Sequence, residues 1–392
     1  MHLSFTKNRV FNNMLMLVVA SIFSVNSNAS NGSVEHKAKM GNYLAQDISG
    51  FMPLPLISSR TKGTHSKGVV GVALHETNNE RIEREAMEAT SNMSNASLQI
   101  PNMTLFGTLK SEDGSWATFS AHRHTWDDDR VRYTSSMFSG NTNMDYFVSY
   151  SDDSDVLNTN IRGSGGFQEA QLRVNHSQWF LGVVHTYLMP ELTPNSNNYH
   201  NAFNANLVES EMVLSALGVS LEYNNTNSYF NPTSGSEFDA HFLSYNDSFG
   251  STIEYNRLEI EATHYYPISE RMNVSVESGF NQLYTDNDYL PPMVYPELEL
   301  KGLAHHRFQG DLAMSLQAET TWLIDSNWSV SAFTGLGLVE KNLKGQVHTE
   351  QFHTFGSSVV FVMDTTLSLY SSLDIAYSEK EQVAYWNITK HL

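Results

Sequence analysis

From about residue 100 onward, apolar and polar side chains alternate with a period of two, the signature of strands rather than helices. Between Leu312 and Ile324 one face carries Leu312, Met314, Leu316, Ala318, Thr320, Trp322 and Ile324, while Ala313, Ser315, Gln317, Glu319 and Thr321 fall on the other. Leu367 to Ser378 repeats this, with Leu367, Leu369, Leu373, Ile375 and Tyr377 opposing Ser368, Ser372, Asp374 and Ser378. In Trp328 to Val339, Trp328, Val330, Ala332, Leu336 and Leu338 oppose Ser329, Ser331, Gly335 and Gly337.

Length decides what such strands are for. Soluble strands cluster near five or six residues, about half of what these segments offer. A strand crossing lipid at a tilt needs about nine to eleven. An open sheet in hydrocarbon leaves its edge donors and acceptors unpaired, so the pattern predicts an all-β fold, a closed antiparallel transmembrane β-barrel with a polar interior. The alternative is a soluble double sheet. The predicted strands are 67–76, 101–109, 115–124, 130–138, 144–151, 156–174, 178–190, 211–224, 236–247, 251–267, 271–285, 312–324, 327–340, 350–363, 366–378 and 382–392, sixteen in all. Segment 156–174 is long enough for two strands, and Phe51–Ser59 is a candidate for one more.

Tight turns at Ser269–Arg271, Asp325–Asn327 and Thr365–Thr366 define one end of the predicted barrel. The longer segments 77–100, 191–210 and 286–311 are placed at the other, the asymmetry of short periplasmic turns and long external loops. The last strand alternates Ala384, Trp386, Ile388 and Leu392 against Tyr385, Asn387 and Thr389, like the terminal signal of barrels inserted by the barrel-assembly machinery.

Ahead of the strands, Lys7 and Arg9 precede an apolar run from Met14 to Val25 and small residues ending at Ala29. This reads as a secretory signal peptide over 1–29; the other reading is an uncleaved anchor helix, for which the run is short. Residues 30–66 are then a short periplasmic extension and 67–392 the barrel. The chain has no cysteine, which suits an oxidising compartment and rules out a disulfide framework. A formal net charge of −19 argues against nucleic-acid binding by bulk electrostatics.

Three motifs carry a resemblance. Ser49-Gly50-Phe51-Met52-Pro53-Leu54-Pro55-Leu56-Ile57, the turn Phe230-Asn231-Pro232-Thr233-Ser234-Gly235, and His306-Arg307-Phe308-Gln309-Gly310 resemble motifs of the BamA/TamA-like bacterial surface antigen family. Within this superfamily of outer-membrane assembly-factor barrels, the chain is similar to the subgroup without periplasmic POTRA repeats. In the turn, Pro232 fixes φ and Gly235 supplies the permissive corner beside Thr233. The resemblance implies a loop that folds back into the barrel, its arginine, here Arg307, pairing with an acid on the twelfth strand, here Glu319. The family's strand-thirteen motif has an acid where this chain has Gly335 in Phe333-Thr334-Gly335-Leu336-Gly337. The other reading of Arg307 is a solvated loop residue.

Other constellations weigh less. Asp127-Asp128-Asp129 and Asp152, Asp153 and Asp155 are expected in external loops, as solvated tips or as carboxylates that bridge divalent cations to lipopolysaccharide. His305-His306 and the pair His122 and His124 lack a convincing third ligand, so no metal and no cofactor is expected. Arg257, Glu259 and Glu261, with Glu237 and Asp239, form an inward row that charges the lumen wall. Asp239 and His241 share a face, but no motif singles out a serine nucleophile, and the chain reads as no enzyme. Residues 79–89 have the charge spacing of a short external helix.

The expectation is therefore an outer-membrane barrel of assembly-factor type that contacts lipid and lipopolysaccharide. Its clients remain unnamed by the sequence, and the alternative function is a passive channel or a structural surface antigen.

Overall fold

The computed structural model describes residues 52–60, 66–75, 102–147, 156–194, 212–227, 232–287, 290–303, 307–325, 327–343, 346–364, 369–380 and 382–390. The predicted signal peptide, the helix at 79–89, the acids Asp152, Asp153 and Asp155, and His305-His306 lie outside these residues.

The described fold is one antiparallel β-sheet with two single-turn 3₁₀ segments. Its strands are β1 (Met52–Arg60), β2 (Ser66–Leu74), β3 (Met103–Ser111), β4 (Trp116–Trp126), β5 (Val131–Phe147), β6 (Val156–Arg173), β7 (Trp179–Pro194) and β8 (Leu214–Asn224). They continue as β9 (Gly235–Tyr245), β10 (Tyr255–Ser269), β11 (Met272–Tyr284), β12 (Leu312–Leu323), β13 (Trp328–Leu343), β14 (Gln346–Asp364), β15 (Leu369–Ser378) and β16 (Gln382–Lys390). Each pairs with its neighbours in chain order, and β1 pairs with both β2 and β16, so the ladder returns on itself.

Three sequence expectations change. The barrel begins at Met52, inside the segment read as a periplasmic extension. The candidate strand Phe51–Ser59 is thus a member of the sheet; Pro53 and Pro55 weaken its signal, because proline donates nothing to a ladder and belongs at edges. Segments 130–138 and 144–151 are one strand, β5, and 156–174 is one strand, β6. The turn expected between the first two is absent because the backbone pairs β6 without a break from Val131↔Leu172 to Phe147↔Val156. With β1 added and two strands merged, the strands up to β5 change direction. The end of β2, the start of β3 and Asp127–Asp129 therefore sit at the short-turn end, not among the long loops.

The radial pattern is the inverse of a soluble protein. Leu181 and Leu336 on the outer face are each 57% exposed, whereas Glu169 and Glu222 on the inner face are 1% exposed. Outward aromatics Trp126, Trp179, Tyr266, Trp322 and Trp328 cluster at the short-turn ends of their strands, where amphipathic rings suit an interface. Inside, β4–β9 carry an apolar layer of Ala121, Phe138, Phe167, Val184, Ala216 and Leu243, below which the wall turns charged.

Local chemistry sets the corners. Between β8 and β9, the Asn227 carboxamide oxygen accepts from the N–H groups of Thr233 (2.9 Å) and Ser234 (3.1 Å), and its amide donates to the Thr233 hydroxyl (2.8 Å). Pro232 is buried beside them. Gly235 holds φ at 103°, and a Cβ there would stand 2.6 Å from the Asn225 carbonyl oxygen. Gly235→Val is expected to cost about 1–3 kcal/mol through this strain, read as a lower denaturant midpoint for the purified barrel. An unchanged midpoint would show that the turn does not constrain β9.

Candidate functional site

The connection from β11 to β12 does not leave the barrel. Leu290, Met293 and Val294 pack on Leu192, Met212, Leu214, Tyr255 and Leu283 of the inner wall. Further along, Leu298, Leu300, Leu303 and Phe308 pack on Ala313, Val339 and Phe352. The two ends of the inserted segment are pinned by backbone: Leu298 N–H donates to the Phe308 carbonyl (2.9 Å), Gly310 N–H to that of Pro296 (3.0 Å), and Asp311 N–H to that of Glu340 (2.8 Å). The Asp311 carboxylate accepts from the N–H of Asn342 at 2.6 Å. Burial pushes the Tyr295 phenol above its ordinary range, and the nearby Asp311 adds in the same direction.

The seat on β13 is made of glycine. A Cβ on Gly337 would lie 2.7 Å from both Leu298 and Leu300, and one on Gly335 would lie 2.9 Å from Leu300. Gly335 is the position where the resemblance calls for an acid, and Leu300 fills the space such an acid would need. Across the lumen Gly302 reaches β15, its would-be Cβ 2.9 Å from the Ala376 methyl. The loop thus bridges the wall from β11 to β15.

One ion pair joins it. Lys301 Nζ donates to Glu319 Oε2, both side chains being buried, and Lys301 N–H donates to the Gln317 carboxamide oxygen at 3.2 Å. Glu319 faces inward as periodicity requires, and Lys301, a residue the motif comparison passed over, is a cation that the structure brings to it. Arg307 sits in the same loop, half-buried, with its guanidinium 5.4 Å from the Phe308 ring centre. Magnitudes decide what holds the loop. A buried ion pair barely exceeds the cost of desolvating its charges, whereas each fully buried leucine or phenylalanine contributes about 1.5–3 kcal/mol. The apolar side chains seat the loop, and the ion pair fixes its register.

The adjoining inner wall carries further charges. Arg257, Glu259 and Glu261 of β10 point inward with Glu237 and Asp239 of β9, and Arg257 Nε stands 2.7 Å from Glu259 Oε1 and 3.0 Å from Asn281 Oδ1. A second network was missed by sequence reasoning. Asp129 accepts from Arg132 and from Arg173 (2.6 Å), Arg132 also donates to Glu222 (2.8 Å), and both guanidiniums lie over the Phe180 ring at 3.4 and 4.5 Å. Asp127, Asp128 and Asp129 all adopt positive φ, which turns Asp129 inward as the anion of this network. That three-acid run was the available signal, read instead as a solvated tip. The network ties the turns after β4 and β6 to β8.

His241 lies 3.6 Å from Glu169 on the inner wall, while His122 and His124 face outward. Among the described residues no group of three or more His, Asp or Glu side chains is placed to hold a metal.

With this geometry in place the comparisons with known proteins can be read. Residues 105–294 match the Omp85 superfamily domain. BamA from Haemophilus ducreyi lacking POTRA domains 1–3 superposes with a TM-score of 0.60 at 12% identity, over 87% of this chain and 70% of that one. CdiB from Acinetobacter baumannii (TM-score 0.57, 10% identity) is covered over 60% of its length by 88% of this chain. CdiB from Escherichia coli (0.57, 10%) is covered over 63% by 88%. The chain thus spans less than two thirds of either CdiB. No curated protein matches the sequence. Domain match and fold define the class, an outer-membrane β-barrel. Residues 105–294 carry an Omp85 superfamily domain, and the fold is similar to those of BamA and CdiB.

The glycine seat is testable in a chain without native cysteine. Leu300→Cys is expected to resist maleimide labelling in the folded barrel and to label in a Gly337→Val background, where the added methyls evict the loop. Glu319→Gln is expected to leave it protected. Labelling by Glu319→Gln but not by Gly337→Val would reverse the ranking of the two forces.

Proposed function

We propose that this chain is a non-enzymatic barrel of Omp85 type that assists the assembly or translocation of outer-membrane proteins, and that its working element is the seam between β1 and β16. The seam itself carries this reading. Among the described residues it pairs Ile57 to Arg60 with Ile388 to Tyr385, while β5 and β6 pair over seventeen residues. Pro53 and Pro55 strip donors from one edge of β1, just where a longer seam would run. A lipid-facing edge with free donors costs several kcal/mol per group unless an incoming strand pairs with it. A short seam lowers the cost of opening and leaves an edge that a client strand satisfies.

The surroundings fit this division of labour. The seated loop braces β11–β15 on one side of the seam, and the Asp129–Arg132–Arg173–Glu222 network braces β4–β8 on the other. Glu319 is the ionic register point of the loop, with Lys301 beside it and, on this reading, Arg307 as a second cation. Residues 1–29 direct export, the closed sixteen-stranded form is the resting state in lipid and lipopolysaccharide, and the barrel-assembly machinery inserts it. Arg257, Glu259 and Glu261 favour a second reading, a cation-conducting channel, because they charge the inner wall.

Ser58 and Asn387 are Cα partners across the seam. Ser58→Cys with Asn387→Cys forms a lock that reductant releases. Reconstituted in vesicles, the reduced protein is expected to accelerate folding of a client barrel at least several-fold, and the oxidised protein is not. Equal acceleration in both states would remove the seam from the mechanism. No acceleration in either, with steady ion conductance in planar bilayers, would favour the channel.

A further inference from the structure

The outer wall is not uniformly apolar. Across β3–β7 the register aligns Thr104, His122, Ser135, Gln168 and His185 side by side, an unbroken polar row perpendicular to the strands on the outward face. His75 extends it at the β2 end: its Nε2 is 2.7 Å from Thr104 Oγ1, which is 2.9 Å from His122 Nδ1. Tyr133, one row below, donates to Gln168 Oε1 at 3.1 Å. On the opposite wall the corresponding row reads Ile260, Phe280, Met314 and Leu338. The polar row climbs from the rim marked by Trp126 to the middle of β7, between Trp179 and the exposed Met189, and so crosses the depth where lipid tails would lie. Polar side chains at that depth are costly against hydrocarbon and serve where protein covers them.

We propose that this stripe is an interaction surface and that its occupant is a second copy of this chain. Two features select that partner. Every member of the row, histidine, serine, threonine or glutamine, both donates and accepts hydrogen bonds and none carries a fixed charge, so the stripe is complementary to itself and offers no counter-ion to a lipid phosphate. Geometry is the second. Two barrels upright in one membrane are related by an axis along its normal, and with strands tilted by about 35–45° their facing strands cross at roughly 70–90°. The polar row of one copy therefore runs along the strands of its mate. Ser135 and Gln168 stand at the middle of the row, flanked by the small Gly166 and Ala170, where two backbones can approach. The exposed Met137 beside Gly166 supplies a knob next to a hole.

Because the chain has no cysteine, single substitutions report the contact directly. The full chain bearing Ser135→Cys or Gln168→Cys, oxidised in intact outer membranes, is expected to give a species of twice the mass that reductant dissolves. Leu316→Cys, on the apolar wall, is expected to give none. Heat-modifiable migration confirms that each variant is folded. Monomer alone from both folded stripe variants would overturn the proposal, as would equal yield from Leu316→Cys. A disulfide adduct of any other mass would overturn it too, by showing that a different protein covers the stripe.

Discussion

A backbone surrounded by lipid tails has no water to fall back on, so each N–H and C=O must be paired inside the protein. The rest of this structure follows from how the chain meets that demand. Among the described residues, fifteen of the sixteen strand junctions do so with registers at least seven residues long, and the demand is met most thinly where β1 meets β16. Pro53 and Pro55 make this a property of the sequence rather than an accident of packing, since no rearrangement restores a donor that proline lacks. The weak point is built into the primary structure.

Filling the interior is the second problem, and it is solved with apolar matter where the motif led one to expect charge. A loop held by an ion pair alone would balance two desolvation penalties against one attraction. Here Gly335 and Gly337 carve a groove that takes Leu298 and Leu300, and Lys301, the next residue, reaches Glu319. Across the barrel the arginine network around Asp129 fastens three strands through their turns. Both braces leave the strands flanking the seam outside their reach. A barrel braced on both walls and thin at one junction has a defined place to open.

Much of this was legible in the residues. The two-residue rhythm of Leu312 to Ile324 and Trp328 to Val339 assigned inner and outer faces that the structure reproduces, with Glu319 and Gly335 inward and Leu316 and Leu336 outward. What escaped has physical reasons. Period-two alternation says nothing about where a strand ends when both faces stay polar, so Val131–Phe147 was divided in two. Prolines left β1 as a mere candidate at Phe51–Ser59, and leaving it out of the count inverted the end to which Asp127–Asp129 was assigned. Lys301 was passed over because one residue in a long loop has no periodicity to betray its direction. Where inward side chains are polar near the short-turn end, the pattern offers no contrast by which to pick out Arg132, Arg173 and Glu222. Motifs find such residues only when they match, and here Glu319 matches while the strand-thirteen acid is Gly335.

The seam is the claim on which the functional account stands, and amide hydrogen exchange of the barrel in lipid vesicles measures it most directly. Exchange reports the free energy of local opening strand by strand. The account predicts that peptides from β1 and β16 exchange much faster than those from β5, β6, β13 and β14. Uniform protection around the barrel, with β1 and β16 as slow as the rest, would contradict it.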